Sequence, residues 1–503
     1  MRWTNLGDLI DRNADLDRVA IIDTPAPGLE RTFTHRDVDL LAGGIARLLL
    51  SRGLQRGASV AIAAFNRAEY LAAYFGIMRA GLVAVPINIK LPAETIRFVI
   101  EDSGAQLGFV DAAHRGLLQD IVPVIEFDDA GSDGFGSVVE PGSFESVVVE
   151  ADEVGQLLYT SGSTGRPKGV PLSHHGQLWA LSTRTSGALN QHERYIIAQP
   201  LYHMNGLFSA KTVFGTNASL VLQPSFDSRA SLDAIAQHKV TAATAVPTMW
   251  ARALKETDLL AARDFSSFRR LMLGSAPMTV SLLERIRAAF PGITISVGYG
   301  TTEAGPAIFG PHPNGLPAPP LALGTPINPD FVKLVGATEN EGVLWMRNPA
   351  VTAGYRNLPA QTAKVLSDDG WYNSGDVMRR DAEGFYYFVG RADDMFVCAG
   401  ENIYPGEVEK LLERHPAIQQ AAVVPLPDEE RSQVPVAFVV SRGEIALSAE
   451  DVKRFALAGG PAYQHPRRIR FLPELPWAGT NKIDRKALLD LARDIETTQA
   501  WDR

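Results

Sequence analysis

Leu157-Leu158-Tyr159-Thr160-Ser161-Gly162-Ser163-Thr164-Gly165-Arg166-Pro167-Lys168-Gly169-Val170 is the stretch on which the reading of this chain turns. An apolar run stops, a loop of hydroxyls and glycines follows, and beyond Arg166 and Lys168 the chain becomes apolar again. Glycines let backbone N–H groups converge on an anion without interference from Cβ. The hydroxyls and Lys168 add donors and charge, so residues 160–168 read as a polyphosphate cradle. It is not a Walker loop, which needs Gly-Lys-Ser/Thr leading into a helix. Here Pro167 precedes the lysine and Gly169 follows it. The competing reading is a flexible Gly/Ser linker. Position favours the cradle: the loop follows a strand candidate at 154–158, and ligands collect at the carboxyl ends of strands in parallel sheets.

Outward from that loop, length and composition set bounds. A chain of 503 residues exceeds the size at which a single core stops growing, so at least two domains are expected. With 46% apolar and 21% charged residues it is an ordinary globular composition. A net charge of −9 disfavours non-specific nucleic-acid binding. The single cysteine, Cys398, excludes an intramolecular disulfide and a cysteine-built metal site, and fits a reducing compartment. The first residues lack the apolar core of a signal peptide, and no apolar run reaches 18 residues. A cytoplasmic protein with no transmembrane segment is expected.

Along the chain, strands and helices alternate. Residues 34–52 read as a helix, with Thr34 as cap, Asp37 three residues on, and Leu41, Ile45 and Leu48 on one face. Strand candidates at 60–65 and 82–86 flank a second helix at 68–80, a rhythm that implies a mostly parallel α/β sheet. Segment 128–146, rich in Gly, Ser and acids, reads as a surface loop and a weak domain boundary. His203 sits among apolar residues, either a core histidine or a site residue. A strand at 271–273 ends in the turn Gly274-Ser275-Ala276-Pro277, after which Thr279 caps a helix. A strand from Ile293 runs into Gly298-Tyr299-Gly300-Thr301-Thr302-Glu303, a second hydroxyl-rich strand end that carries a carboxylate. An acid beside a triphosphate points to Mg²⁺; by itself Glu303 would read as a surface acid. Asp376 sits at a turn suited to two ribose hydroxyls, though most Gly-Asp pairs are only turns. A compact α/β tail follows Arg391, Asp393 and Asp394. Near its end Lys482 is displayed in a loop that, alone, would read as a solvated basic run.

In this order the motifs are those of one family. The sequence resembles the adenylate-forming superfamily of acyl- and aryl-CoA synthetases, luciferases and nonribosomal adenylation domains, most closely its AMP-dependent acyl-CoA synthetase branch. The resemblance rests on residues 159–169, 200–207, 299–303, 372–376, 390–394, 400–405 and 479–486, and runs from about residue 30 to the C-terminus. It implies an α/β fold: a large multi-sheet N-terminal adenylation domain over 1–391 and a small mobile α+β domain over 392–503. The implied reaction joins ATP and a fatty or aromatic carboxylate as acyl-adenylate, then transfers the acyl group to coenzyme A.

The same resemblance assigns expected roles. Thr160, Ser161, Gly162, Ser163, Thr164, Gly165 and Lys168 would hold the β- and γ-phosphates. Thr302 would contact the α-phosphate and Glu303 would hold Mg²⁺. Gly274, Ala276, Pro277 and Tyr299 would flank adenine, with Gly300 and Thr301 beside them. Asp376 and Arg391 would bind ribose. His203 would lie at the acyl pocket, walled by Met204, Asn205, Trp250 and Gly298. Asp393 would be the hinge, Ala399, Gly400 and Glu401 would line the CoA channel, and Lys482 would bridge carboxylate and α-phosphate. Two departures stand out: Asn481 replaces the usual Gly before the final Lys, and Ala399-Gly400 replaces a frequent Gly-Gly. No Arg is evident among the pocket segments, which favours a fatty or aromatic acid over a dicarboxylate; a remote Arg such as Arg184 is the exception to watch. The alternatives are transfer to a carrier protein, a luciferase-like oxygenase, and a non-enzymatic ATP-binding module. The sequence does not specify oligomeric state; a homodimer would be unremarkable.

Overall fold

The computed structural model describes residues 3–26, 28–160, 166–185, 191–276, 278–398, 401–428, 431–443, 447–478, 483–498 and 500–502. Two large sheets dominate the first two-thirds of the chain. One runs Thr294–Gly298, Arg270–Gly274, Ala242–Ala245, Arg194–Ile197, Ser219–Leu222, Val19–Ala26, Leu29–Thr34 across its width. Its strands are parallel except for the hairpin at one edge. The other runs Val124–Glu126, Ala105–Val110, Ser59–Ala63, Val83–Pro86, Val154–Thr160, Lys168–Ser173. It too is parallel up to its last pair, which is antiparallel and aligns Thr160 with Lys168. The strands on either side of the glycine-rich stretch therefore form an edge hairpin.

Both sheets contribute to one apolar core, with Ile21 and Leu220 from the first and Val60, Ile62 and Leu107 from the second. Helix Ala68–Arg79 is buried along its whole length, so its sequence is apolar on every face rather than on one stripe. Its closing Arg79, fully buried, donates to the carbonyls of Gly7 and Asp39 at 2.8 and 2.9 Å and to Asp39 Oδ1 at 2.7 Å. Helix His35–Ser51 begins where expected, because Thr34 and Asp37 form a reciprocal capping box.

The acid- and Gly-rich segment after residue 128 is not a domain boundary. Phe135 packs against Phe109 and Phe127, and Gly142 N donates to Leu40 O at 2.9 Å. The chain lies so close to helix His35–Ser51 that a Cβ on Gly43 or Gly44 would come within 2.1 or 2.3 Å of the carbonyl oxygens of Gly142 and Glu140. Those helix glycines exist for that crossing.

Beyond residue 330 the architecture turns antiparallel. A four-stranded sheet is built from Val332–Thr338, Glu341–Met346, Tyr372–Arg380 and Tyr386–Arg391. The tail forms a last sheet around Ile418–Asp428 and Ser432–Ser441, with helices Pro405–Leu412, Ala449–Gly459 and Arg485–Thr498. Its core draws only on residues from Phe396 onward. Lys410 Nζ ties this unit back to the preceding sheet by donating to Phe388 O at 2.6 Å. No helix among the described residues is long and apolar enough to cross a membrane.

Candidate active site

The parallel strands of the first sheet end together. Val246, Ser275 and Tyr299, the residues just past three neighbouring strands, all line one cleft of 3540 Å³. That volume is several times a typical pocket for a single small molecule, so the cleft can hold more than one reactant. Its floor is kept bare by two paired glycines. A Cβ on Gly274 would sit 2.8 Å from Gly298 O, and one on Gly298 would sit 3.0 Å from Met272 Sδ. Ser275 then takes a left-handed φ of 66° to complete the turn, and Asn205 Nδ2 reaches its hydroxyl at 3.4 Å. Ala276 also faces the cleft.

On one wall, two strands of the antiparallel sheet bring Asp376 opposite Arg391. Gly375 makes this possible, at φ 69°, since a Cβ there would lie 2.8 Å from the Arg391 guanidinium. Tyr299 donates its hydroxyl to Asp376 Oδ2 at 2.6 Å, and Arg391 donates to Asp376 Oδ1 at 3.1 Å, Ser374 O at 2.7 Å and Asp393 Oδ1 at 2.9 Å. Burial, reinforced by Asp376, raises the Tyr299 phenol far above its ordinary value, so it stays a donor. Burial opposes the Asp393 carboxylate, yet Arg391 holds it below the usual range.

Glu303 is as buried as Asp376, 9% against 8% exposed. Its carbonyl accepts from Thr352 N at 2.7 Å, and its Oε1 accepts from the Tyr355 hydroxyl at 2.9 Å. The Tyr355 ring also carries Lys168 Nζ 4.4 Å from its centroid. One tyrosine therefore links the edge-hairpin lysine to the strand-end acid. Among the described hydrogen bonds, the second Glu303 oxygen is left for another partner. Among the described residues no cluster of three or more His, Cys, Asp or Glu forms a metal centre. A lone acid of this kind fits Mg²⁺ delivered on a triphosphate rather than a cation caged by protein. Thr301 and Thr302 line the cleft beside it, and Gly300 admits the backbone of Gly305 and Pro306, which a Cβ would meet at 2.7 and 2.6 Å.

His203 and Met204 open helix Met204–Gly215 at the cleft, with the His203 ring edge-on to Tyr202 at 4.7 Å. Asn205 and Gly298 also line it. Trp250 does not: its ring stacks on Phe268 at 5.3 Å and meets Phe290 edge-on at 5.2 Å, inside the aromatic core. Its neighbours Met249 and Ala251 face the cleft instead. Helix Pro247–Ala253 turns its largest apolar side chain away from water, as burial dictates. Glu401 is exposed on the hairpin of Phe396–Cys398 with Glu401–Ile403, outside the cleft lining. Ser161, Gly162, Ser163, Thr164, Gly165, Pro277, Ala399, Gly400 and Lys482 lie outside the described residues. The residues that bracket Lys482, Trp477 and Ile483, pair with each other and line the cleft.

Three contributors lie outside the residues to which the sequence assigned roles. Tyr355 and Arg184 stand in no recognisable motif. Arg485 looked like part of a basic run, yet it makes a bidentate pair with Glu409 at 2.7 and 2.9 Å and lies 3.8 Å from Asp394.

Comparison with known proteins agrees with this geometry. The AMP-binding enzyme profile matches residues 11–356, and that of the AMP-binding enzyme C-terminal domain matches residues 407–482. The chain is similar to 4-coumarate–CoA ligase 1 of Petroselinum crispum, 30% identical over 91% of this chain and 88% of that one. It is similar to a feruloyl-CoA synthase of an Amycolatopsis species, 31% identical over 90% and 92% of the two chains. Among solved structures it is similar to the anthranilate CoA ligase AuaEII in complex with anthranoyl-AMP, 27% identical, with a TM-score of 0.87 and 97% of each chain covered.

Proposed function

The chain belongs to the AMP-binding enzyme family, and on that premise we propose that it is an AMP-forming carboxylic acid–CoA ligase acting on an aromatic acid. The acid's carboxylate attacks the α-phosphorus of ATP, pyrophosphate leaves, and the CoA thiol then displaces AMP from the acyl-adenylate. The observation that carries this reading is the meeting, at one cleft, of Asp376 held by Tyr299 and Arg391 with Glu303 held by Tyr355. Both acids are fixed by phenols that burial keeps protonated, so each presents acceptor oxygens in a set direction.

In this proposal Asp376 accepts the ribose hydroxyls, with Arg391 fixing its orientation. The Gly274 turn and Tyr299 border adenine. Lys168 and the loop 160–168 hold the departing pyrophosphate, and Thr302 donates to the α-phosphate. Glu303 would hold Mg²⁺, which when bound neutralises phosphate charge. His203, Met204, Asn205 and Gly298 shape the acyl slot. Lys482, which lies in sequence between the paired Trp477 and Ile483, neutralises the meeting of carboxylate and α-phosphate. No side-chain nucleophile is needed, because the substrate supplies it. The domain boundary falls at 391/392, with Asp393 as hinge, and the exposed hairpin bearing Glu401 turns to the cleft for the thioester step. The narrowing from fatty or aromatic to aromatic acids is supported by the substrates named for the relatives. A cytoplasmic location, and a homodimer as the simplest assembly, complete the proposal.

The test is ATP–pyrophosphate exchange over a panel of aromatic and fatty acids, followed by offering the adenylate to CoA and to a phosphopantetheinyl carrier protein. Acid-dependent exchange and a CoA thioester are expected. No exchange with any acid, or transfer to the carrier protein alone, would overturn the reading.

A further inference from the structure

Arg184 closes helix His174–Thr185 and lines the cleft, a position the pocket segments of the sequence did not predict. Among the described residues its guanidinium has no carboxylate partner. Its one described hydrogen bond runs from Nη2 to Met272 Sδ at 3.3 Å, a weak acceptor. Three other arginines on the cleft wall are paired: Arg270 with Glu193 at 2.9 Å, Arg391 with Asp376, Arg485 with Glu409. Burial pulls the Arg184 guanidinium below its ordinary value, and Tyr195 is the only group that opposes the fall. A cation withdrawn from water without a partner is unfavourable, and an incoming anion removes that penalty.

Its place along the slot gives the ligand's shape. Arg184 touches the sulfur of Met272, and that sulfur lies 3.0 Å from where a Gly298 Cβ would be. Gly298 leads directly into Tyr299 and the strand end that bears Glu303. Arg184, Met272 and Gly298 thus make a chain of contacts that leads from the guanidinium to the strand end with the adenylation groups. Resting on the ligase reading, we infer that the acid is aromatic and bears a second carboxylate, remote from the one that is activated, which Arg184 pairs bidentately. Arg is suited to this because its planar fork matches a carboxylate.

Exchange assays on matched pairs test it: terephthalate against p-toluate, and 4-carboxycinnamate against 4-methylcinnamate. In the pair that fits, kcat/KM for the diacid should exceed that for its methyl counterpart by roughly tenfold or more. Arg184→Met should invert the ratio in favour of the methyl acid, and Arg184→Lys, which keeps the charge, should retain a reduced preference for the diacid. Preference of the native protein for the methyl acid in both pairs overturns the inference, as does an Arg184→Met variant that slows both acids equally. Silence with every acid strikes the ligase reading itself, whereas exchange with monoacids alone strikes only the role of Arg184.

Discussion

Two phenols do the positioning that makes two acids useful. Tyr355 carries a double task, since its hydroxyl holds Glu303 while its face holds Lys168. Tyr355→Phe separates them: the ring survives and the hydrogen bond is lost. It should destabilise the fold by about 1 kcal/mol and raise the KM for Mg·ATP several-fold, read by urea titration and initial rates. Asp376→Ala removes the Tyr299 acceptor and one of the Arg391 acceptors, leaving Arg391 with Ser374 O and Asp393. Because the Arg391 side chain is 41% exposed, the stability loss should be only about 1–3 kcal/mol. The loss of ATP binding should be far larger than the loss of stability. Equal KM values for ATP in the two proteins would refute the ribose assignment. Gly375 could be read as a turn residue from sequence, but its real constraint is steric and distant, set by the Arg391 guanidinium across the strand pair.

Among the elements, the strand ends decide the shape of the acyl slot. Gly298→Ala adds a methyl that meets a flexible thioether, so the fold should tolerate it while turnover of bulky aromatic acids falls at least tenfold. Gly274→Ala meets a backbone carbonyl instead, and should lower the melting temperature as well. In helix Pro405–Leu412 and the turn after it, burial pushes the Glu413 carboxyl up to about 8. The folded state then keeps a proton that the unfolded chain has released. Between about 4.5 and 8, the Glu413 contribution to stability falls as pH rises, by at most roughly 1.4 kcal/mol per pH unit, while the buried His35 and His174, lowered to about 4, add the opposite slope below 6.5. Glu413→Gln should make the pH slope of stability more positive than in the native protein in thermal melts across pH 5–8; an unchanged slope would refute it. What was legible at this scale was local. The Thr34 and Asp37 capping box announced its helix because both partners lie within one turn. The Gly43-Gly44 pair could not be interpreted, since its meaning lies in a carbonyl contributed by residues 140–142. The antiparallel sheet that supplies Asp376 and Arg391 also went unread, because its strands follow no helix–strand rhythm.

For the whole molecule, the order of motifs was informative where single motifs were not. Loop 160–168, the 299–303 strand end, Asp376 and Lys482 are far apart in sequence, and each alone is an ordinary turn or basic run. The fold gathers their described parts at one cleft, walled by the parallel sheet, the antiparallel sheet and the C-terminal unit. Two assignments resisted this route for physical reasons: Trp250 satisfies the core, and Glu401 is exposed outside the cleft lining in this arrangement; Arg184, the remote arginine to watch, does line the cleft, from a helix outside the pocket segments. Asp393 joins the sheet bearing Arg391 to the tail, and Asp393→Pro should halt turnover by blocking rotation while leaving one half-reaction intact. The central claim is a single cleft serving two half-reactions, with Lys482 needed for the first only. Rapid-quench single turnovers with the acid that supports exchange test it most directly, in the native protein and in Lys482→Ala. The account predicts that adenylate formation slows by about 100-fold or more, roughly 3 kcal/mol of transition-state stabilisation, while thioester formation from supplied acyl-adenylate and CoA proceeds at the native rate. Equal loss of both half-reactions would contradict it.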